Sequence, residues 1–467
     1  MDFDLFFLLS YMATIAVADI PRGKIFEYAA RLPSVASRFF REIDFMVKKL
    51  GYDYVEACRL VGSKAEEEVK NFLFRFSDAM RSGERESDFL FREAQIYAVE
   101  YENRYDRKLE SLKKWTDAFA AMAISASLVF IIGVISTLIW DMGKSFLLSL
   151  AMLSLSSSAF GVWSLWRSSP AEVKFLSSRE KGFPLPPWKL SLISAAFLLP
   201  VLSLGGMNMG AVLLLSSLPL LPFGIKALFE EREVRRRDEE IGAFLRSLGG
   251  VAAAVGTTLK EALARLNLRS IPSLAKSVKR LRIGLFSGIN PDLCWEKFVQ
   301  ESKSELVGRS VKMFCDAIKL GGEAEEVGLR SSLFASRISR LRARRHHIAA
   351  SFSGLMAVLH AALSLLLVFI VEVMRKFAEL IAQIEIPQAP ALPEFGFGFN
   401  IGDFPFVAKL LPPVLVGFCI TNALAPYIVE GGEGAKLSLY LSLTFLITGS
   451  ALLAVPKVAD MIFGMVA

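Results

Sequence analysis

Two kinds of hydrophobic patterning alternate along this chain. Through residues 21–117 and 226–347, apolar side chains recur every three or four positions among charged ones, as at Phe39, Ile43, Met46, Val47 and Leu50. That is the spacing of one helix face, and no strand-like alternation bounded by turns interrupts it. Elsewhere the apolar residues run on almost without charge, in stretches close to the roughly 20 residues with which a helix crosses a bilayer. These runs cover 118–140, 145–166, 190–204, 209–228, 348–373, 406–429 and 437–455, which predicts seven crossings. Breaks at Asp141-Met142-Gly143-Lys144 and at Gly205-Gly206 fold the first four into two hairpins. The reading is an all-α, polytopic helical membrane protein in four parts: a helical domain at 1–117, four crossings at 118–228, a second helical domain at 229–347 and three crossings at 348–467. Pro184, Pro186 and Pro187 mark a linker at 167–189 between the hairpins, and a loop rich in Pro, Gly and Phe lies at 375–405.

The apolar run at the start of the chain needs a separate argument. Residues 3–18 suggest a signal peptide, yet Asp2 and Asp4 stand where a positive n-region belongs and no small-residue cleavage site follows. The run is also short for a crossing and stops at Asp19 and Pro21. It is predicted to be the first helix of the soluble bundle.

Repetition supports that assignment. Phe314-Cys315-Asp316-Ala317-Ile318-Lys319-Leu320-Gly321 has a near copy at Phe76-Ser77-Asp78-Ala79-Met80-Arg81-Ser82-Gly83. Leu32-Pro33-Ser34-Val35-Ala36 matches Ile271-Pro272-Ser273-Leu274-Ala275, and residues 9–18 match 245–254. Three matches in the same order with slowly drifting offset predict that the two soluble domains are duplicates. Each runs into the membrane through a charged helix.

Composition sharpens the class. Apolar residues make up 53% of 467 positions and the formal charge is +7. The excess sits almost wholly in 226–347, with 24 Lys/Arg against 15 Asp/Glu, whereas 21–117 carries 19 against 18. An acidic partner is therefore expected at the second domain. Lys and Arg gather on the cytoplasmic side of crossings. Arg104, Arg107, Lys108, Arg167, Arg232 and the cluster from Arg337 to Arg345 obey this together if both soluble domains are cytoplasmic. Four crossings between the domains make that placement self-consistent, with 141–144, 205–208, 375–405 and the C-terminus outside.

Little chemistry is legible. Cys58, Cys294, Cys315 and Cys419 have no ligand spacing, so neither zinc nor a disulfide framework is expected. Gly143-Lys144-Ser145 lacks the P-loop glycine five residues upstream, where Leu138 stands. His346 and His347 sit where the arginines meet the apolar run, a place for snorkelling side chains. His360 lies in a crossing with no carboxylate near it in sequence, and Asn422 is a lone polar group in another. No catalytic constellation, cofactor site, metal site or nucleic-acid partner is expected. A transporter or channel with cytosolic regulatory domains is the alternative, but carriers place ionisable residues near the midplane and these crossings hold almost none.

At Phe244-Leu245-Arg246-Ser247-Leu248-Gly249-Gly250, followed by the run 252–263 (AAAVGTTLKEAL), the second domain resembles the F domain of type II secretion and type IV pilus platform proteins. Residues 9–21 resemble a first copy, and Asp238 to Gly250 with the larger number of crossings is similar to the archaeal, archaellum-assembly members. The resemblance implies a cell-membrane platform on whose cytosolic domains a hexameric ATPase docks and whose crossings meet pilin-like filament subunits, acting as a homodimer. Arg235, Arg236, Arg237, Arg280, Arg282, Arg342, Arg344 and Arg345 would recruit that ATPase.

Overall fold

A computed structural model describes residues 2–139, 143–170, 172, 175, 186–256, 258–383 and 404–464. Most of the 375–405 loop, the tip of the first hairpin and much of the 167–189 linker, with Pro184, lie outside the described residues. The helices in chain order are α1 (Asp2–Ile15), α2 (Arg22–Ala30), α3 (Ser37–Leu50), α4 (Tyr54–Lys64), α5 (Glu67–Ser82), α6 (Glu86–Ile139), α7 (Gly143–Ser168), α8 (Pro187–Leu204) and α9 (Met209–Ser217). They continue with α10 (Leu221–Val255), α11 (Leu259–Arg265), α12 (Ala275–Phe286), α13 (Pro291–Ser302), α14 (Glu305–Lys319), α15 (Ala324–Gln383), α16 (Phe404–Glu430) and α17 (Lys436–Gly464). Among the described residues there is no strand, only an isolated bridge between Phe175 and Ser304. The protein is all-α, as its patterning predicts.

The chain divides into two compact units. The first gathers residues 1–107, 173–179 and 232–343, and the second 108–172, 180–231 and 344–467. Helices α6, α10 and α15 give residues to both.

In the first unit α1 is an interior helix. Every side chain from Leu5 to Ile15 is buried, which explains a helix that is apolar all round yet too short to span a bilayer. Asp2 and Asp4 occupy its first turn, where the helix dipole favours negative charge. Asp19, in the left-handed region at φ 46°, and Pro21 end the segment. Phe6 packs on Phe334 and Tyr101 at ring-centroid distances of 5.2 and 5.3 Å. The Tyr11 hydroxyl donates to Asp316 at 2.7 Å, Arg309 reaches Asp4 at 3.0 Å, and Arg330 donates to the Ala13 carbonyl at 2.7 Å. Burial beside the Asp316 carboxylate pushes the Tyr11 phenol well above its ordinary range, so it donates throughout the physiological range. Residues of the second soluble block thus complete the environment of a helix from the first.

The matched motifs serve local stops and cores. Phe76 stacks on Phe89 at 5.3 Å within a cluster that includes Phe26 and Phe72, and Phe314 is buried against Trp295. Gly83 and Gly321 follow their helices in the left-handed region at φ 76° and 94°, where a side chain would be strained. Their aspartates differ: Asp78 is exposed and pairs with Arg59, whereas Asp316 holds Tyr11. Cys58 is buried in α4, and burial pushes its thiol up to about 12. It behaves as a small apolar residue.

The second unit is a bundle with an apolar interior and an apolar exterior. Phe130, Leu147, Leu367, Leu415 and Phe418 meet in one core, and Leu213, Cys419 and Phe445 in another. Phe197, Leu204, Val358 and Trp166 face outward with more than 60% of their surface exposed, as lipid-facing side chains do. Among the described residues six helices are long and apolar enough to cross a membrane, and α9 with α10, bent by 41° at its break, makes a seventh if the pair is one span. The continuous crossing expected at 209–228 is therefore broken, because Pro219 and Pro222 at the break supply no backbone N–H. The chain is a multi-pass membrane protein.

Glycines set the close approaches in this bundle. A Cβ on Gly449 would lie 2.9 Å from the Gly210 carbonyl, and one on Gly210 would lie 2.8 Å from Leu453. Around Gly354 there is nothing within 4 Å. Gly449→Leu should cost about 1–3 kcal/mol through overpacking and lower the unfolding midpoint in detergent, while Gly354→Ala should leave it unchanged or raise it slightly. Equal midpoints for the two variants would contradict this packing.

Candidate functional site

The arginines of the second soluble block divide by what surrounds them. Arg342 is buried at 8% exposure and donates to Asp238 at 2.7 Å, and Ser304 also donates to that carboxylate. Arg237 keeps 13% of its side-chain surface. It donates to the carbonyls of Glu301 and Ser302 at 2.9 and 3.0 Å and to Glu233. Those carbonyls are the unsatisfied C-terminal groups of α13, so Arg237 caps that helix. Arg280 is exposed on α12 and pairs with the Glu301 side chain at 2.7 Å. Glu301 therefore brings Arg237 and Arg280 to one helix end. Arg235 is half-buried and Arg236 exposed on α10; Arg282 is half-buried on α12. Arg344 is exposed.

Arg345, in the second unit, has 1% of its surface exposed. Its guanidinium donates to the carbonyls of Val429 at 3.0 Å, Pro170 at 2.8 Å and Ile428 at 3.3 Å, and to the Ser169 hydroxyl at 2.6 Å. Glu172 stands 3.7 Å away. Gly431, at φ 59°, leaves the room: a Cβ there would lie 2.1 Å from the guanidinium. Arg345 thus ties the end of α7 to the end of α16. Arg342 and Arg345 are accordingly interior residues, and Arg237 nearly so, because each satisfies buried acceptors that would otherwise be orphaned. A partner meeting the folded protein finds Arg235, Arg236, Arg280, Arg282 and Arg344.

Beside Arg345 lies a set of groups that sequence reasoning missed. Lys436 bonds Glu231 at 2.6 Å and also Glu430, with both carboxylates and the lysine buried. Tyr440 donates to Glu430 at 2.6 Å and lies 3.2 Å from Ser353, while His346 Nδ1 stands 3.5 Å from Glu430. The cluster joins α10, α15, α16 and α17 at one end of the bundle. At the other end Arg375 and Lys376 meet Asp460, the Lys376 ammonium at 2.5 Å. Only the Glu430-Gly431-Gly432-Glu433-Gly434 loop, with charges on both sides of a glycine pair, could have pointed to the first cluster.

His360 and Asn422, isolated in sequence, are neighbours. Asn422 Nδ2 lies 3.0 Å from His360 Nδ1, and His360 Nε2 lies 3.0 Å from the Thr448 hydroxyl and 3.3 Å from the Thr444 carbonyl. Along α15, His360 is fifteen residues from both Arg345 and Arg375, about 22 Å of helix each way. The group sits at mid-bundle and ties α15 to α16 and α17 through uncharged polar contacts, the role expected of polar side chains between crossings. Among the described residues no cluster of His, Cys, Asp or Glu could hold a metal ion.

The fold and these sites define a multi-pass helical membrane protein whose buried charges brace helix ends. Over 452 residues the chain is 23% identical to "Flagella accessory protein J" of Methanocaldococcus jannaschii, covering 91% of this chain and 79% of that protein. Over 410 residues it is 22% identical to "Flagella accessory protein J" of Methanococcus voltae, covering 84% and 73%. No family model and no solved structure matches. The similarity to these two proteins runs over most of the chain and over most of their own length.

Arg342→Gln strands Asp238 and should destabilise the protein by about 3–5 kcal/mol, whereas Arg342→Met with Asp238→Leu should recover most of that loss. Denaturant unfolding of the full chain in detergent checks both. A single variant as stable as the parent would show that the pair is not buried.

Proposed function

We propose that this chain is the cell-membrane platform of an archaeal filament machine. Its two soluble helical domains, read as duplicates, are cytoplasmic; they dock the hexameric assembly ATPase, and the crossings pass its motion to pilin-like subunits in the filament base. A homodimeric platform fits this reading. The observation that carries it is the similarity along 91% of the chain to a protein named as a flagella accessory protein. Arg235, Arg236, Arg280, Arg282 and Arg344, distributed over α10, α12 and α15, support electrostatic recruitment of an acidic ATPase surface. Arg237, Arg342 and Arg345 contribute by holding the helices that present them.

Within the second unit, residues 169–172, 231, 345 and 430–436 share one end, and 375–376 and 460 the other. That sorting supports seven crossings with the arginine-rich end in the cytoplasm. Mid-bundle, the His360 group contains no carboxylate, which favours a platform over an ion-coupled carrier.

The test uses the whole chain, because α1 and the 232–343 segment are packed into one unit. Full-length protein in lipid nanodiscs should capture the hexameric ATPase of the same organism at ~50 mM salt and lose it at ~500 mM. Arg235→Glu with Arg236→Glu should weaken capture at least about tenfold. Absence of capture at low salt by the folded chain would overturn the docking proposal.

A further inference from the structure

One recess on the first unit remains unfilled by the chain itself. Helices α12 and α13, joined by a turn at 287–290, enclose a groove of about 400 Å³ lined by Leu281, Ile283, Ile289, Leu293 and Phe298. Ile283 and Leu293 keep 61% and 59% of their surface exposed, and Phe286 and Ile289 keep 50% each. Large apolar side chains clustered on an otherwise charged domain mark a surface that something covers. The rim carries more base than acid. Lys276 and Lys279 lie on α12 beside the lining Arg280, and Lys297 and Glu301 line the groove from α13. Arg280 is held by Glu301, whereas Lys276, Lys279 and Lys297 make no ion pair among the described residues.

We propose that this groove docks an amphipathic helix of a partner protein, one that inserts apolar side chains spaced three and four residues apart and carries Asp or Glu on its flanks. Charge complementarity chooses this occupant. The apolar anchors enter between Ile283 and Leu293, and the flanking carboxylates meet Lys276, Lys279 and Lys297, the arrangement of a helix in a groove. The proposal extends the platform reading by giving its basic block a specific binding cleft.

The probe is a fluorescent synthetic peptide of about 18 residues, five helical turns, with leucines on one face and glutamates on its flanks. It is titrated against the full-length chain in nanodiscs by fluorescence anisotropy, beside a control peptide with lysine in place of every glutamate. The glutamate peptide should bind the parent. Leu293→Asn, and separately Lys279→Glu with Lys297→Glu, should weaken it at least about tenfold while leaving circular dichroism unchanged, as expected at exposed positions. The lysine peptide should not bind. Unchanged affinity for Leu293→Asn, or equal binding of both peptides, would overturn the proposal. So would a parent that ignores the peptide and instead forms a dimer dissolved by Leu293→Asn, which would assign the groove to a second copy. Failure here with salt-sensitive capture of the ATPase intact removes the groove and leaves the platform; intact peptide binding without capture does the reverse.

Discussion

Charge taken out of water must find partners, and this chain is arranged around that requirement. Burying an isolated guanidinium costs several kcal/mol even after relaxation, so Arg345 at 1% exposure persists only because three carbonyls, a serine hydroxyl and Glu172 surround it. Two of those carbonyls, Ile428 and Val429, belong to the end of α16, which has no further turn to receive them. One side chain thereby settles two problems at once, its own desolvation and the unsatisfied end of α16. Gly431 gives the space, and the neighbouring Lys436 is flanked by Glu231 and Glu430 for the same reason. Arg237 and Arg342 repeat the solution in the first unit, at the end of α13 and against Asp238.

How much of this was legible in the sequence depended on whether the cause was local. Helical spacing, apolar runs and glycine stops act over a few residues, so the all-α class, six of the crossings and the ends at Gly83 and Gly321 could be read directly. The first helix was legible because its apolar run, bounded by Asp2 and Asp4 at one end and Asp19 and Pro21 at the other, is too short to span a bilayer. The bend between α9 and α10 was also written locally, in Pro219 and Pro222, but the hydropathy of 209–228 hid it. What could not be read was partnership across long separations. Arg342 and Arg236 look alike in a basic run, and only the fold places Asp238 beside the first and solvent beside the second. His360 and Asn422 are sixty-two positions apart, and nothing near either announces the other.

These distinctions alter how a basic domain is interpreted. A net excess of arginine suggests a surface for an acidic partner, yet part of the excess here serves as internal bracing at helix ends. The exposed remainder lies on α10, α12 and α15, and α12 also forms one wall of the apolar groove. Basic side chains supply long-range attraction and orientation, while an apolar cleft supplies the desolvated contact that resists salt. A platform that must hold an assembly motor and then transmit its movement needs both.

Hydrogen–deuterium exchange on the full chain in nanodiscs, with and without the hexameric ATPase, tests the central division between outward and internal arginines most directly. Added protection is expected on the ATPase-bound protein at residues 232–236 and 275–283, with no change at 428–431, the end of α16 that Arg345 holds. Protection confined to 428–431, with the α10 and α12 segments unaffected, would contradict that division.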